Sequence, residues 1–524
     1  MKKLKELKIN KLQAVLLVFL AIQFILLAVI NLTLIKNQID CDNAKCLTHI
    51  VKMWEHKRLA IPNWYYSTTL EWDCSSIFAI PFYGITHNIY IAAGLSNIVL
   101  TLIFLYSIWF LFMEKKPEYF LFAANITLIP YGLGMLDYYN MMFFGVSQYV
   151  VKVTTVILLA GILRYCDDTD RKPAKYKTVT AIVTTVLYGL FLLCTSMSSG
   201  LYFAITGFVP VLAGYVLYKI LNWKHVSVKS ISLLAASPVV AVLGNLVNVR
   251  LLGENRTADM EFCSIYDIEI NLRSNFYGLF ELMGGLTKAS SANIMTPEGL
   301  ASAIKTLFTI ILMVLAFVII FKMFKKELSL ESSMMIIPFF YNWFIMLFVI
   351  TRAGSFTTEY RYYLMGVVPL LIAVAAHVTG VIENDENAAR GFWGGICITA
   401  FLAVMAALSY RGVFTAPETQ KELKELAAYC KDLDYDIIYM YDTSNESDMM
   451  KVFDPSKHYI CLMDNGQTMA YDFYDNYAFG PIQTTGTMIL INDSLFPMDD
   501  ETELLGMNIY RTDTVAGWGI YNIK

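Results

Sequence analysis

Residues 12–42 read LQAVLLVFLAIQFILLAVINLTLIKNQIDCD. Up to Ile35 the run carries no charge, and as a helix it is long enough to cross a bilayer core of roughly 30 Å. Met1-Lys2-Lys3-Leu4-Lys5 precedes it, and basic residues at the entrance place the N-terminus in the cytoplasm. The apolar core is too long for a secretory leader and no small-residue cleavage site follows, so the run reads as an uncleaved first span. Asp40-Cys41-Asp42 then emerges on the far side of the membrane.

The rest of the chain repeats this pattern. Of its 524 residues, 56% are hydrophobic and 16% charged, which excludes an ordinary soluble enzyme. Long apolar stretches recur near 13–35, 89–113, 119–137, 143–163, 178–198, 201–219, 231–252, 301–323, 331–351, 363–382 and 391–409, giving about eleven candidate spans. Starting inside, an odd number of spans leaves the tail outside. The basic segments 114–116, 171–177, 219–229 and 322–326 fall in the cytoplasmic turns that the orientation rule favours. The acidic turn 383–386 dissents, but acids carry little weight in that rule.

The net charge of −4 is unevenly spread. Residues 411–524 hold 19 acidic against 8 basic side chains, a balance of −11, so the remainder carries +7. The sequence therefore predicts an α-helical polytopic membrane domain over 1–410 and an acidic extracytoplasmic α/β domain over 411–524. In that tail, a helical pattern near 418–430 precedes strand-like runs at 435–441, 458–463, 487–491 and 519–523. Two further segments, 36–88 and 253–300, are long outer loops. In the first, Ala44, Leu47, Val51 and Trp54 recur at helical spacing, and Ile61-Pro62-Asn63-Trp64-Tyr65-Tyr66 follows, as suits a segment lying along the lipid interface. No Walker sequence, Gly-rich dinucleotide loop or internal repeat is present, and no continuous basic patch points to nucleic acid. Six of the nine cysteines fall on the predicted outer side, where Cys41 could bridge Cys46 or Cys74.

Seven basic residues stand where the orientation rule expects few, at the outer ends of spans: Arg250, Arg256, Arg273, Lys288, Lys305, Arg352 and Arg361. An anionic lipid head group is the local reason this placement suggests. Arg352 and Arg361 flank one short loop and could grip a phosphate through forked hydrogen bonds, with Tyr362 beside them; an Arg361–Glu359 pair is the structural alternative. Lys152 is expected two to three turns inside the fourth span, facing a hydrated cavity, with a snorkelling lysine as its bland alternative. Asp40 and Asp42 are candidate general bases, and Asp42 also reads as a helix N-cap. Asp73 and Glu71 read as solvated acids, and Asp137 lies in the turn outside the third span. Asp42 with Asp137 or Asp73 offers oxygen ligands of the kind magnesium or manganese takes.

On these residues the chain resembles the C-type integral membrane glycosyltransferases, which include protein mannosyltransferases and aminoarabinose or oligosaccharyl transferases. The resemblance rests on Asp40-Cys41-Asp42 after the first span, the long outer loop with its amphipathic helix, and Arg361-Tyr362 leading into Leu364-Met365-Gly366-Val367-Val368-Pro369-Leu370-Leu371. A many-span body followed by an outer α/β domain adds to it. It implies a polyprenyl-phosphate sugar donor, an extracytoplasmic acceptor and a carboxylate base, for which Asp42 is chosen over Asp40 because it starts the amphipathic helix; Asp137 matches by position the outer acid that supports a metal or the acceptor in some members. The residues themselves supply the candidate phosphate contacts, Lys152, Arg250, Arg352, Arg361 and Tyr362, and Asp73 as a further supporting acid. Family members often place two acids side by side, whereas here a cysteine intervenes. A lipid-linked-sugar flippase or other secondary transporter is the rival reading, and a non-catalytic scaffold is a third.

Overall fold

The computed structural model describes residues 10–62, 64, 66, 69–132, 137–167, 175–253, 260–285, 293–351, 360–469 and 481–524. In chain order the first helices are α1 (Lys11–Thr33), α2 (Cys41–His56), α3 (Ser75–Thr86), α4 (Ile89–Leu111), α5 (Pro117–Thr127), α6 (Tyr138–Phe143), α7 (Val150–Asp167) and α8 (Lys175–Ser199). A single π turn, Ala204–Phe208, runs into α9 (Val209–Leu221), and α10 (Val228–Leu252) follows. Strand β1 (Met260–Phe262), α11 (Asp267–Leu282), α12 (Pro297–Phe324), α13 (Leu330–Phe348) and β2 (Val349–Thr351) come next. A 3₁₀ turn at Tyr360–Tyr363 then leads into α14 (Leu364–Glu383) and α15 (Ala388–Thr415). The tail contributes α16 (Lys421–Lys431), β3 (Ile437–Tyr441), α17 (Ser444–Phe453), β4 (His458–Leu462), β5 (Thr468–Met469), β6 (Thr487–Asn492), β7 (Glu501–Leu504), β8 (Met507–Val515) and β9 (Trp518–Ile523).

Nine helices among the described residues are long and apolar enough to cross a membrane, so the chain is a multi-pass membrane protein. The two other apolar runs fold differently. The run at 119–137 gives only the short α5, because Pro130 cannot donate to a helix and pushes Ile129 out of helical geometry. The run at 143–163 is broken by left-handed backbone at Gly145 and Ser147, and the helix proper starts at Val150. Lys152 therefore sits in the first turn of α7, not two to three turns in.

The chain divides into two compact units: residues 1–30, 68–75 and 97–416, and residues 31–67, 76–96 and 417–524. In the first, α7 is buried almost along its length although it carries Lys152, Arg164 and Asp167. Each charge is matched: Lys152 by Asp73 at 2.6 Å, Arg164 by Glu331 at 2.9 Å, and Asp167 by Lys219 at 2.7 Å. Ionisable groups at membrane depth survive only when paired in this way. Span α13 lies close against its neighbours through small residues. A Cβ on Gly214 of α9 would meet the Ser333 carbonyl at 2.6 Å, and one on Gly366 of α14 would meet Phe339 Cα at 2.9 Å. Caps on Ser227, Thr296, Ser329 and Asn387 start α10, α12, α13 and α15.

In the second unit the strand order is β5-β4-β3-β6-β9-β8-β7. β3 runs parallel to β4 and β6, and the remaining pairs are antiparallel. Ile437, Tyr439, Ile460, Leu462, Ile489, Ile491 and Tyr521 form its core. Helix α2 packs on α17, and Thr419 is tied to the Asn37 carbonyl through its backbone N–H at 2.8 Å. The segment that delivers Asp40 and Asp42 thus folds as part of the same unit as the tail.

Candidate functional site

Within the first unit, residues 69–75 lie against the end of α8. The Leu70 N–H donates to the Ser198 carbonyl at 3.2 Å and the Trp72 N–H to Ser198 Oγ at 3.1 Å. Asn248 holds the same turn from α10, its side-chain amide donating to the Met197 and Ser198 carbonyls at 2.8 Å. This fixes Asp73, whose Oδ2 accepts from Ser199 Oγ at 3.0 Å and pairs with Lys152 Nζ at 2.6 Å. Both side chains are buried, so Asp73 is not the solvated acid that its neighbourhood in sequence suggests. Lys152 also donates to the Gln148 carbonyl at 2.9 Å, and its ammonium lies 5.2 Å from the centre of the Tyr149 ring.

Tyrosines link this pair to the 3₁₀ turn ahead of α14. Tyr149 and Tyr202 share a hydrogen bond at 3.4 Å between their hydroxyls, and the Tyr202 ring lies 6.3 Å from that of Tyr362. The half-buried Arg361 guanidinium sits 5.7 Å from the centre of the Tyr362 ring. Tyr363 donates to the Asn275 side-chain oxygen and so anchors the turn on α11. The π turn begins two residues beyond Tyr202, and Asn342 of α13 donates to its Thr206 carbonyl at 2.9 Å. The arrangement is a polar, aromatic-walled cluster with two cations beside aromatic faces, Lys152 at Tyr149 and Arg361 at Tyr362. Ser199 and Tyr202 escape sequence reading; the only signal is the Ser196–Gly200 break between two apolar runs, where Gly200 takes positive φ.

In the second unit, Asp40 and not Asp42 caps α2. Asp40 Oδ1 accepts from the Asn43 N–H at 2.7 Å and Oδ2 from the Asn43 side-chain amide at 2.6 Å. Burial pushes the Asp40 carboxyl up to about 6, with the charge of Asp42 adding to it and the Asn43 bonds opposing. Asp42, one residue into the helix, is exposed, and among the described residues nothing hydrogen-bonds or pairs with its carboxylate. The two aspartates, equivalent on paper, are thus differentiated: one is committed to the backbone and the other is open. Cys41 between them remains a thiol, raised to about 11 first by burial and then by both aspartates, so neither expected Cys41 bridge forms.

The other predicted residues disperse. Asp137 precedes α6 in the first unit and makes no side-chain cap there; its charge acts on Lys305 of α12, whose Nζ donates to the Tyr131 carbonyl at 2.5 Å. Lys305 therefore closes the helix break at Pro130. Arg250 is exposed on α10, and Arg273 is exposed on α11 in a pair with Glu269 at 2.6 Å. Arg256, Lys288, Arg352 and Glu359 lie outside the described residues. Among the described residues no group of three His, Cys, Asp or Glu side chains gathers as a metal site.

No protein-family model and no curated protein sequence matches this chain. Solved structures match its fold. The apo structure of ArnT from Cupriavidus metallidurans aligns over 96% of this chain and 97% of that one, with a TM-score of 0.57 at 10% identity. The same protein bound to undecaprenyl phosphate aligns over 96% and 97%, with a TM-score of 0.56 at 12% identity. The oligosaccharyltransferase AglB from Archaeoglobus fulgidus, in complex with an inhibitory peptide and a dolichol-phosphate, aligns over 85% of this chain and 64% of its own, with a TM-score of 0.50 at 9% identity. The chain shares its fold with these proteins, the many-span body with an α/β tail that the resemblance leads one to expect.

Proposed function

We propose that this protein transfers a glycosyl group from a polyprenyl phosphate to an acceptor on the extracytoplasmic side of the plasma membrane, with inversion at the sugar carbon. The observation that carries the reading is the open carboxylate of Asp42 on a chain sharing the fold of two transferases whose structures hold polyprenyl phosphates. In this reading the N-terminus lies in the cytoplasm and the tail unit outside.

The acceptor hydroxyl attacks the sugar carbon from the face opposite the phosphate. Its proton passes to Asp42 as the new carbon–oxygen bond forms, which is general-base work for an exposed carboxylate that no described residue engages. The bond from the sugar carbon to phosphate oxygen breaks, and polyprenyl phosphate leaves with both electrons. Arg361 answers the charge that grows on that phosphate, with Tyr362 shaping the guanidinium's position; a planar fork suits phosphate geometry and acts most strongly where water is excluded. Arg250 and Arg352 are proposed as further phosphate contacts. Lys152 reaches a phosphate only by loosening its bond to Asp73, so Asp73 sets where that ammonium rests. Asp137 is assigned to acceptor support.

Proteoliposomes carrying radiolabelled polyprenyl-phosphate sugars and candidate acceptors test this directly. Asp42→Asn should lower transfer by roughly 10²- to 10⁴-fold. Full transfer by that variant would remove Asp42 as the base. Movement of labelled lipid across the bilayer with no glycosyl product would replace the transferase with the flippase reading.

A further inference from the structure

Helix α11 has two unlike faces. Asn271, Asn275, Gly278, Leu279 and Leu282 are buried. Ile265, Leu272 and Phe276 form an exposed apolar stripe, extended at the N-terminal side by Phe262 and Tyr266. Phe262 and Ile265 are each 88% exposed and Tyr266 81%, values that no residue meant to face water alone explains. The charges of Glu269 and Arg273 border the stripe and pair with one another.

The buried face is strapped to the last turn of span α13. The Asn271 amide donates to the Leu347 and Val349 carbonyls at 3.1 and 3.2 Å, and the Asn275 amide to the Trp343 carbonyl at 3.3 Å. The Cys263 N–H donates to the Phe348 carbonyl at 2.9 Å, and β1 pairs with β2 directly beyond that turn. The bonds to Leu347 and Phe348 satisfy carbonyls that a helix end leaves open. They also fix the depth of α11 at the level where a membrane span ends.

The stripe is continuous with lipid-facing surface. Phe276 lies edge-on to Trp343 of α13 at 5.1 Å, and Phe344, exposed on the same span, meets Phe348 at 4.8 Å. We propose that α11 and residues 262–266 form an interfacial anchor whose apolar stripe is seated among lipid chains just below the head groups, with Arg273 and Glu269 at head-group level. An amphipathic helix with aromatic residues and a bordering arginine is the composition that the interface selects. The occupant of this face is the bilayer itself. The anchor has a further consequence, because Asn275 also accepts from Tyr363, the residue closing the turn that carries Arg361 and Tyr362. Seating in lipid therefore holds that turn in register. The inference rests on the chain's being a membrane protein and stands whatever reaction it performs.

Photocrosslinking of the full chain in phosphatidylethanolamine/phosphatidylglycerol vesicles tests it. A Leu272→benzoylphenylalanine variant should yield lipid adducts by mass spectrometry at a level within about threefold of a Phe344→benzoylphenylalanine control on the lipid-facing span. A Phe276→benzoylphenylalanine variant repeats the measurement should the first fail to fold. Lipid adducts at Phe344 with none at Leu272 or Phe276 would overturn the proposal. Adducts to protein at Leu272 would overturn it equally, since they would show the stripe to be covered by a second copy or another chain.

Discussion

Removing one member of the Asp73–Lys152 pair strands a buried charge. At 2.6 Å, two unit charges in a medium of effective dielectric constant about 20 attract by about 6 kcal/mol, which desolvation of both ions largely offsets. The net worth of the pair is thus small, but the cost of breaking it is not. Among the described residues, Asp73→Asn leaves the Lys152 ammonium the Gln148 carbonyl and the Tyr149 ring but no countercharge, and Lys152→Met leaves the Asp73 carboxylate the Ser199 hydroxyl but no cation. Each single change should destabilise the protein by about 3–5 kcal/mol, a shift of at least roughly 10²-fold in the unfolding equilibrium. The double variant Asp73→Asn/Lys152→Met removes both charges together and should cost less than either single change. A double-mutant cycle by denaturant titration in mixed micelles reads the coupling, expected to exceed about 3 kcal/mol. Single costs below about 0.5 kcal/mol that simply add would refute the reasoning, because solvent would then be screening the pair.

Other outcomes follow from the same geometry. Because the folded Asp40 carboxyl titrates near 6, above its unfolded value of 3.8, the folded state binds more protons between those values and stability falls as pH rises through that window. Asp40→Asn keeps a good N-cap and removes that penalty, so it should gain up to about 3 kcal/mol over the parent at pH 8 and nothing near pH 4, read by thermal unfolding at both pH values. The buried His49, stacked on Trp64 at 4.3 Å, is pushed down to about 3 by burial, helped by Lys45. Its share of stability is present above its unfolded value of 6.5 and is lost as pH falls toward 3, so His49→Phe should be less acid-labile than the parent in the same scans. Arg361→Lys keeps the charge but loses the fork, and should lower transfer by roughly tenfold or more in the proteoliposome assay. Transfer equal to the parent would free Arg361 from the phosphate.

The apolar runs made the membrane body readable, because a span needs little beyond length and hydrophobicity. The helix at α2 was equally plain, since Ala44, Leu47, Val51 and Trp54 keep its period. Four tail strands were visible as apolar runs, whereas the two-residue β5 was too short to show and β7 and β8 were hidden by charge. Glu501, Glu503, Arg511 and Asp513 break their alternation, and the turns at Leu505-Gly506 and Ala516-Gly517 put residues other than Asn or Asp in the left-handed position. The site was harder still. Asp73 looks like a loop acid until Ser199 and Lys152, far off in the chain, are seen to close on it. Local sequence also could not say which aspartate caps α2, because both are good caps and only the Asn43 bonds decide it.

Native mass spectrometry of the intact protein from its own membranes tests most directly whether a polyprenyl-phosphate sugar is its substrate. The account predicts a bound lipid with the mass of a polyprenyl phosphate bearing one glycosyl unit, retained by Asp42→Asn and depleted in Arg361→Ala. Bulk phospholipid alone in all three proteins would contradict it.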